Sequence, residues 1–237
     1  MLKIEHLTKV YSNGKKAVDD LSLMVEPGDI YGFIGANGAG KTSTIKSIVG
    51  IHDFDKGEIY ICGHSIRKEP LLCKKKMAFL PDNPDLYKNL TARQFLDFVA
   101  DIYRVSLEKR QAAIEKYSKM FELDTSLDQL ISAYSHGMKQ RLALIAALLH
   151  EPELLILDEP FVGLDPKGAY YFKQITRELA SQGHAIFFST HVLEVAEELC
   201  NKVAILQKGR LVANGRTSEV KGTSSLEQVF MELQEDD

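Results

Sequence analysis

Residues 35–42 read Gly35-Ala36-Asn37-Gly38-Ala39-Gly40-Lys41-Thr42 and constrain this chain more than any other stretch. The pattern G-x-x-x-x-G-K-[ST] matters only where a buried strand runs into it and a helix runs out of it. Both neighbours fit. Ile30–Ile34 is a short apolar run between turn signals, as expected for a buried strand, and Lys41–Val49 reads as a helix stopped by Gly50. Glycines let successive backbone N–H groups converge on phosphate oxygens, and the helix N-terminus adds favourable dipole charge. Lys41 would reach the β- and γ-phosphates of a nucleotide, and the Thr42 hydroxyl would ligate Mg2+. Gly35, Asn37, Gly38, Ala39 and Gly40 form the cradle, and Ser43 joins the nucleotide-binding set.

The rest of the chain can be read around that loop. Leu2–Leu7 and Leu21–Val25 are strands with a turn at Ser12-Asn13-Gly14-Lys15, and Gly57–Cys62 is another strand. From about residue 84 to 150 the periodicity becomes helical. Thr91 caps a helix reaching Tyr103, Ser106 caps one reaching Met120, and a third spans Met138–His150. Strand and helix then alternate. Leu154–Leu157 precedes helix 167–181, Ala185–Ser189 precedes helix 192–200, and Val203–Gln207 with Arg210–Ala213 forms a hairpin. Continuous apolar strands alternating with helices predict a mainly parallel sheet covered on both faces. The predicted fold class is therefore α/β. It is expected to have a P-loop NTPase core, an N-terminal antiparallel β subdomain and an inserted α-helical subdomain.

Composition excludes several classes. A net charge of −4 without a basic tail argues against nucleic acid as the main ligand. The single run of three cations, Lys74-Lys75-Lys76, reads as a solvated turn. Cys62, Cys73 and Cys200 fit neither a disulfide framework nor a paired metal spacing, so they read as reduced thiols. No signal peptide is expected at the start. The longest apolar run, Leu142–Leu149, has eight residues, whereas crossing a bilayer takes about 20.

Leu154-Leu155-Ile156-Leu157-Asp158-Glu159 is an apolar strand ending in two acids. A buried carboxylate pair is costly without a cation. Asp158 would hold Mg2+ directly or through water, and Glu159 would orient and polarise an attacking water. Ahead of it, Tyr134-Ser135-His136-Gly137-Met138-Lys139-Gln140-Arg141 reads as the start of a helix presenting its N-terminus to an anion.

These segments, in this order from about Met1 to Leu233, resemble the nucleotide-binding subunit of ABC transporters. The resemblance implies one ATPase domain over residues 1–237. Residues 1–83 and 151–237 would form the β subdomain and RecA-like core, and 84–150 the helical subdomain. It implies ATP and Mg2+ as ligands, with hydrolysis requiring two subunits to close on ATP. Tyr11 resembles the aromatic residue on which adenine stacks. Ser135 and Gly137 match the signature contacts to the γ-phosphate of the opposing subunit. Phe161-Val162-Gly163-Leu164-Asp165 resembles the loop joining the two sites, and His191 the histidine that contacts the γ-phosphate. The catalytic set is then Glu159, His191 and Lys41, and Asp165 joins the nucleotide contacts. The other histidines read as packing or surface residues.

Three positions depart from the family pattern. Asp82 stands where a Mg2+-sensing glutamine is usual, His136 replaces the first glycine of the signature, and Met138 replaces its glutamine. The short tail Ser224–Leu233 is similar to that of bacterial ABC-2-type exporter ATPases. The implied partners are a separately encoded transmembrane permease and a second ATPase subunit, as homodimer or heterodimer, at the cytoplasmic face of the membrane. A soluble family member acting in DNA repair or translation is the alternative. A small-molecule kinase would leave residues 134–141 and His191 without a purpose.

Overall fold

The computed structural model describes residues 1–235. Two sheets carry the chain. Strands β1 (Leu2–Val10) and β2 (Lys16–Val25) form an antiparallel hairpin, and β1 also pairs antiparallel with β4 (Lys56–Ile61). The expected turn closes the hairpin. Tyr11 N–H donates to the Lys15 carbonyl at 2.9 Å, and Gly14 adopts φ +80°, a conformation glycine allows without Cβ strain. Period-two alternation sends Leu2, Ile4, Leu23, Val25, Ile59 and Ile61 inward. A two-residue strand β5 (His64–Ser65) completes this sheet.

The second sheet contains β3 (Ile30–Ile34), β6 (Met77–Leu80), β7 (Leu154–Asp158), β8 (Ala185–Thr190), β9 (Lys202–Gln207) and β10 (Arg210–Arg216), in the order β10-β9-β3-β8-β7-β6. Only β10 runs antiparallel to its neighbour. Its central strands are buried on both faces, as a parallel sheet requires. Tyr31, Phe33, Ile156 and Phe187 point toward the antiparallel sheet and share its apolar cluster. Ile30, Ile34, Leu155, Leu157, Ile186 and Phe188 point the other way. There they join α3 (Ala92–Ile102), α4 (Leu107–Met120), α5 (His136–Leu148) and α6 (Pro166–Ser181). The helical segment 84–150 thus shares one continuous apolar cluster with a face of the sheet. Each fully buried Phe or Leu in it is worth about 1.5–3 kcal/mol.

The expected caps are present. Thr91 and Gln94 form a reciprocal capping box on α3, and Ser106 caps α4. Helices α1 (Lys41–Ile48) and α7 (Leu193–Leu199) lie within a residue or two of their expected bounds. One expectation is corrected. Lys74, Lys75 and Lys76 form no turn but the last turn of a short helix, α2 (Pro70–Lys76), which leads into edge strand β6. Cations there suit the negative end of the helix dipole, and Lys76 also pairs with Glu153. The tail forms α8 (Thr217–Lys221) and α9 (Leu226–Glu235), with Leu226 fully buried. Cys62, Cys73 and Cys200 are free thiols.

Candidate nucleotide site

The phosphate loop is held from behind by backbone. Gly209 N–H donates to the Ala39 carbonyl at 2.8 Å, and Ala39 N–H turns back onto the Ala36 carbonyl at 3.1 Å. Gly38 and Gly40 take φ +85° and +113°, where a side chain would be strained. At Gly35 a Cβ would lie 2.6 Å from the Leu206 carbonyl oxygen. The loop therefore hugs β9 and then opens into α1. Lys41, buried at its base, donates to the Gly35 carbonyl at 2.6 Å and stands 3.5 Å from Glu159 Oε1.

Strands β7 and β8 bring the acids to the same place. Asp158 and Ser189 are register partners. Ser189 Oγ donates to Asp158 Oδ1 at 2.6 Å and accepts the Glu159 N–H at 3.0 Å. One hydroxyl thus fixes both acidic residues. Glu159 has φ +49°, an uncommon left-handed conformation for a residue with a side chain. Its carboxylate lies between two cationic or donor groups, Lys41 and His191, with His191 Nδ1 3.0 Å from Oε2.

A cavity of about 230 Å3 gathers Tyr11, Asn37, Gly38, Gly40, Lys41, Thr42, Ser43, Asp82, Asp158 and Glu159. Lys15, Ala17 and Ala36 also line it. Gly35 and Ala39 act from behind, and His191 joins through Glu159. Tyr11 OH lies 3.0 Å from Ser43 Oγ and 3.3 Å from His52 Nδ1, which ties the aromatic ring to the start of α1. The His52 ring meets that of Tyr11 edge-on at 5.9 Å, and Lys9 Nζ lies 5.4 Å over the Tyr11 ring. The donor set suits Mg2+, which keeps several waters and takes one or two carboxylates alongside substrate phosphates. Thr42, Asp82 and Asp158 line one cavity, and among the described residues no cluster of three or more His, Cys, Asp or Glu forms a closed metal cage.

Three expected contacts lie elsewhere. Ser135 caps α5, accepting the Met138 N–H at 3.2 Å, and Gly137 sits in the first turn of that helix. Asp165 caps α6, its Oδ1 accepting the Gly168 N–H at 2.7 Å. None of the three lines the cavity.

A second concavity, of about 330 Å3, opens between β6, α3 and α5. Phe79, Leu80, Phe95, Val99 and Ile102 line it, with the stacked rings of Tyr103 and His150 3.6 Å apart. The His150 Nε2–H donates to the Met77 carbonyl at 3.2 Å. Burial pushes the His150 imidazole below its ordinary range, only partly offset by that bond. The unfolded chain takes up a proton as pH falls through about 6.5, while folded His150 resists it, so stability is fully present above that pH and declines below it. His52 acts in the same sense, from burial first and then from Lys46 and Lys9. The thermal midpoint is expected to drop between pH 7.5 and 5.5, and less steeply in His150→Phe, which keeps the stack. Equal slopes would rule out this role for His150.

The comparisons with known proteins agree with this geometry. The ABC transporter family model matches residues 18–162. The chain is 33% identical to the ABC-type transporter ATP-binding protein EcsA of Bacillus subtilis, covering 100% of this chain and 98% of that one. It is 33% identical to Nod factor export ATP-binding protein I of Paraburkholderia xenovorans, covering 92% and 71%. It spans 68% and 63% of two further relatives, from Bacillus subtilis and Synechocystis. A solved structure of an ATP-binding subunit of an ABC transporter superposes with a TM-score of 0.95 at 32% identity, covering 99% of each chain. A chain with this loop, these acids and this fold belongs to the ABC transporter family, as one of its ATP-binding, ATP-hydrolysing subunits.

Proposed function

We propose that this subunit powers export through a separately encoded membrane permease, hydrolysing ATP·Mg2+ at two sites shared between paired ATPase subunits. One observation carries the shared-site reading. Lys41, Thr42, Asp158 and Glu159 gather around one cavity, whereas Ser135 and Gly137 sit at the head of α5 outside it. A helix head with unpaired N–H groups suits an anion. In a pair of subunits, that anion would be the γ-phosphate held by the partner.

Within the site, Lys41 and the loop amides bind the β- and γ-phosphates, and Tyr11 carries the adenine. Glu159 orients a water and accepts its proton, with His191 fixing the carboxylate and reaching the γ-phosphate. Mg2+ held by Thr42, Asp158 and Asp82 would supply charge neutralisation at the phosphates. Phosphoryl transfer to water needs mostly positioning and electrostatics, which this arrangement supplies.

Residues 84–150 would act as the helical subdomain that meets the permease. The concavity beside α3 fits an amphipathic cytoplasmic helix of that partner. Exposed Phe98 and Ile102 lie along the same helix. No helix among the described residues is long and apolar enough to cross a membrane. Attachment through the permease would place the subunit at the cytoplasmic face of the membrane. Export rather than import rests on the similarity to the Nod factor export protein. Neither relative named above supports a role in DNA repair or translation. The test is the assembly state of the Glu159→Gln chain by size exclusion. ATP·Mg2+ should shift it from monomer to dimer. Hydrolysis by the wild type with no dimer at any ATP concentration would overturn the self-paired form and require a different ATPase partner.

Asp82 sets a further expectation. It adds a third carboxylate to the cavity beside Asp158 and Glu159. Replacing it by glutamine should raise the Mg2+ concentration for half-maximal hydrolysis on the order of tenfold, the usual scale for losing a supporting metal contact. A Mg2+ titration that superposes on the wild type would remove Asp82 from the metal set.

A further inference from the structure

Gln140 is fully buried, and neither its Nε2 nor its Oε1 has a hydrogen-bond partner among the described residues. A buried amide left unpaired is expensive and needs an explanation. Its place on α5 supplies one. Residues three and four apart share a helix face, so Gln140 lies on the face of Gly137 and His136. That face abuts the loop after Glu159. A Cβ on Gly137 would come within 3.0 Å of the Gly163 carbonyl oxygen, and one on Gly163 within 2.8 Å of the His136 ring.

The loop is built to change at that point. It starts at Glu159 and ends at Asp165, which is pinned as the cap of α6. Inside it, Val162 N–H turns onto the Glu159 carbonyl and Leu164 N–H onto the Phe161 carbonyl, the latter a long 3.4 Å. The Gly163 carbonyl accepts no hydrogen bond from the described residues. Gly163 has φ +82° and, as glycine, the widest choice of alternatives. An unpaired donor on the helix therefore faces a loop with an unpaired carbonyl.

We infer that Gln140 is a positioning residue. When two subunits close on ATP, the Gly163 peptide rotates and its carbonyl accepts from Gln140 Nε2, locking loop 160–165 to the head of α5. The orphan amide disfavours the form in which it is unpaired and so favours the closed one. The lock also links Glu159, which acts in this subunit's site, to Ser135, which acts in the partner's. This inference rests on the ATP-driven pairing proposed above.

The test is Gln140→Met, close in volume and without the amide, with Gln140→Leu as a second variant. In nucleotide-free protein the thermal midpoint should stay level or rise, because no paired group is lost. In the Glu159→Gln background, the ATP concentration for half-dimerisation should rise about tenfold, a typical coupling between linked sites. Hydrogen exchange should show amides 161–164 gaining ATP-dependent protection when Gln140 is present and losing that gain in the Gln140→Met variant. A lower resting midpoint in both variants would mean that the amide is already paired, for instance through water, and overturns the inference. So would an unchanged ATP requirement for dimerisation. If Glu159→Gln alone never dimerises, the pairing itself fails, which is a separate outcome.

Discussion

Replacing Glu159 by glutamine is expected to lower ATP turnover by about 10²–10⁴-fold, the usual contribution of a positioned general base. Glutamine keeps the size of the side chain and can still hold a water, but it cannot take the water's proton. The substitution removes the charge facing Lys41 and His191 but leaves the backbone that shapes the cavity in place. Ser189 would still accept residue 159's N–H and donate to Asp158. Lys41 would still be held at the Gly35 carbonyl. Nucleotide binding should therefore survive while chemistry stops, so the substituted chain should accumulate with intact ATP. Quench-flow with radiolabelled ATP reads both effects in one experiment. Turnover within tenfold of the wild type would assign the base to another group, with His191 the nearest candidate at 3.0 Å from the same carboxylate.

The second large effect is expected from Gly40→Ala. A Cβ there would lie 2.3 Å from the Ala17 carbonyl oxygen and 3.3 Å from Leu206 Cδ2. Ala17 belongs to β2, so the obstacle is backbone in a paired strand and cannot swing away. The φ of +113° adds conformational strain of about 1–3 kcal/mol for a residue with a side chain. The loop must then move off β2 or change shape, and its amides lose their common focus. ATP affinity should fall at least about 100-fold, because the loss combines several charge-assisted hydrogen bonds each worth about 1.5–3 kcal/mol. Gly38→Ala is the control. Its φ of +85° carries similar strain, but a Cβ there meets nothing within 4 Å. Titration with a fluorescent ATP analogue should rank wild type, then Gly38→Ala, then Gly40→Ala. Equal loss in the two variants would show that strain alone, rather than the close approach to β2, governs the loop.

The outline of the fold was legible because its signals are local. The strand at Ile30–Ile34, the glycine loop and the helix from Lys41 follow one another within a single stretch. Thr91 and Ser106 announce their helices by capping chemistry that needs only a few residues, whereas the cap Ser135 starts α5 two residues before the expected Met138. The segment that sequence patterning misreads lies between Gly63 and Leu80. Helix α2 has seven residues with only Cys73 buried, and its three lysines carry the composition of a turn. Its helical form comes from Pro70 at the start and from packing, neither of which a periodicity shows. Strand β6 has four residues and is held in place by pairing with β7.

The site was legible where one segment supplied its parts and opaque where strand order did. Lys41 and Thr42 come with the loop. Ser189 does not stand out in the sequence, because a serine near the end of an apolar strand gains meaning only beside Asp158 in the register of β7 and β8. His52 reads in the sequence as a packing or surface residue, yet it touches the Tyr11 hydroxyl from a turn beyond α1. Resemblance to a motif assigns Asp82 to the site, and the fold delivers it to the cavity just past the end of β6.

The position of Lys41 in the resting chain has a consequence for idling. Its ammonium lies 3.5 Å from Glu159 Oε1, and His191 holds the other oxygen. The carboxylate that would accept a proton is thus spoken for by two neighbours before any nucleotide arrives. On the roles proposed above, a phosphate that draws Lys41 away would also free the base. The arrangement would then work as a safety catch: the residue proposed to drive hydrolysis is held by the residue proposed to meet the fuel, and the same arriving charge would release it.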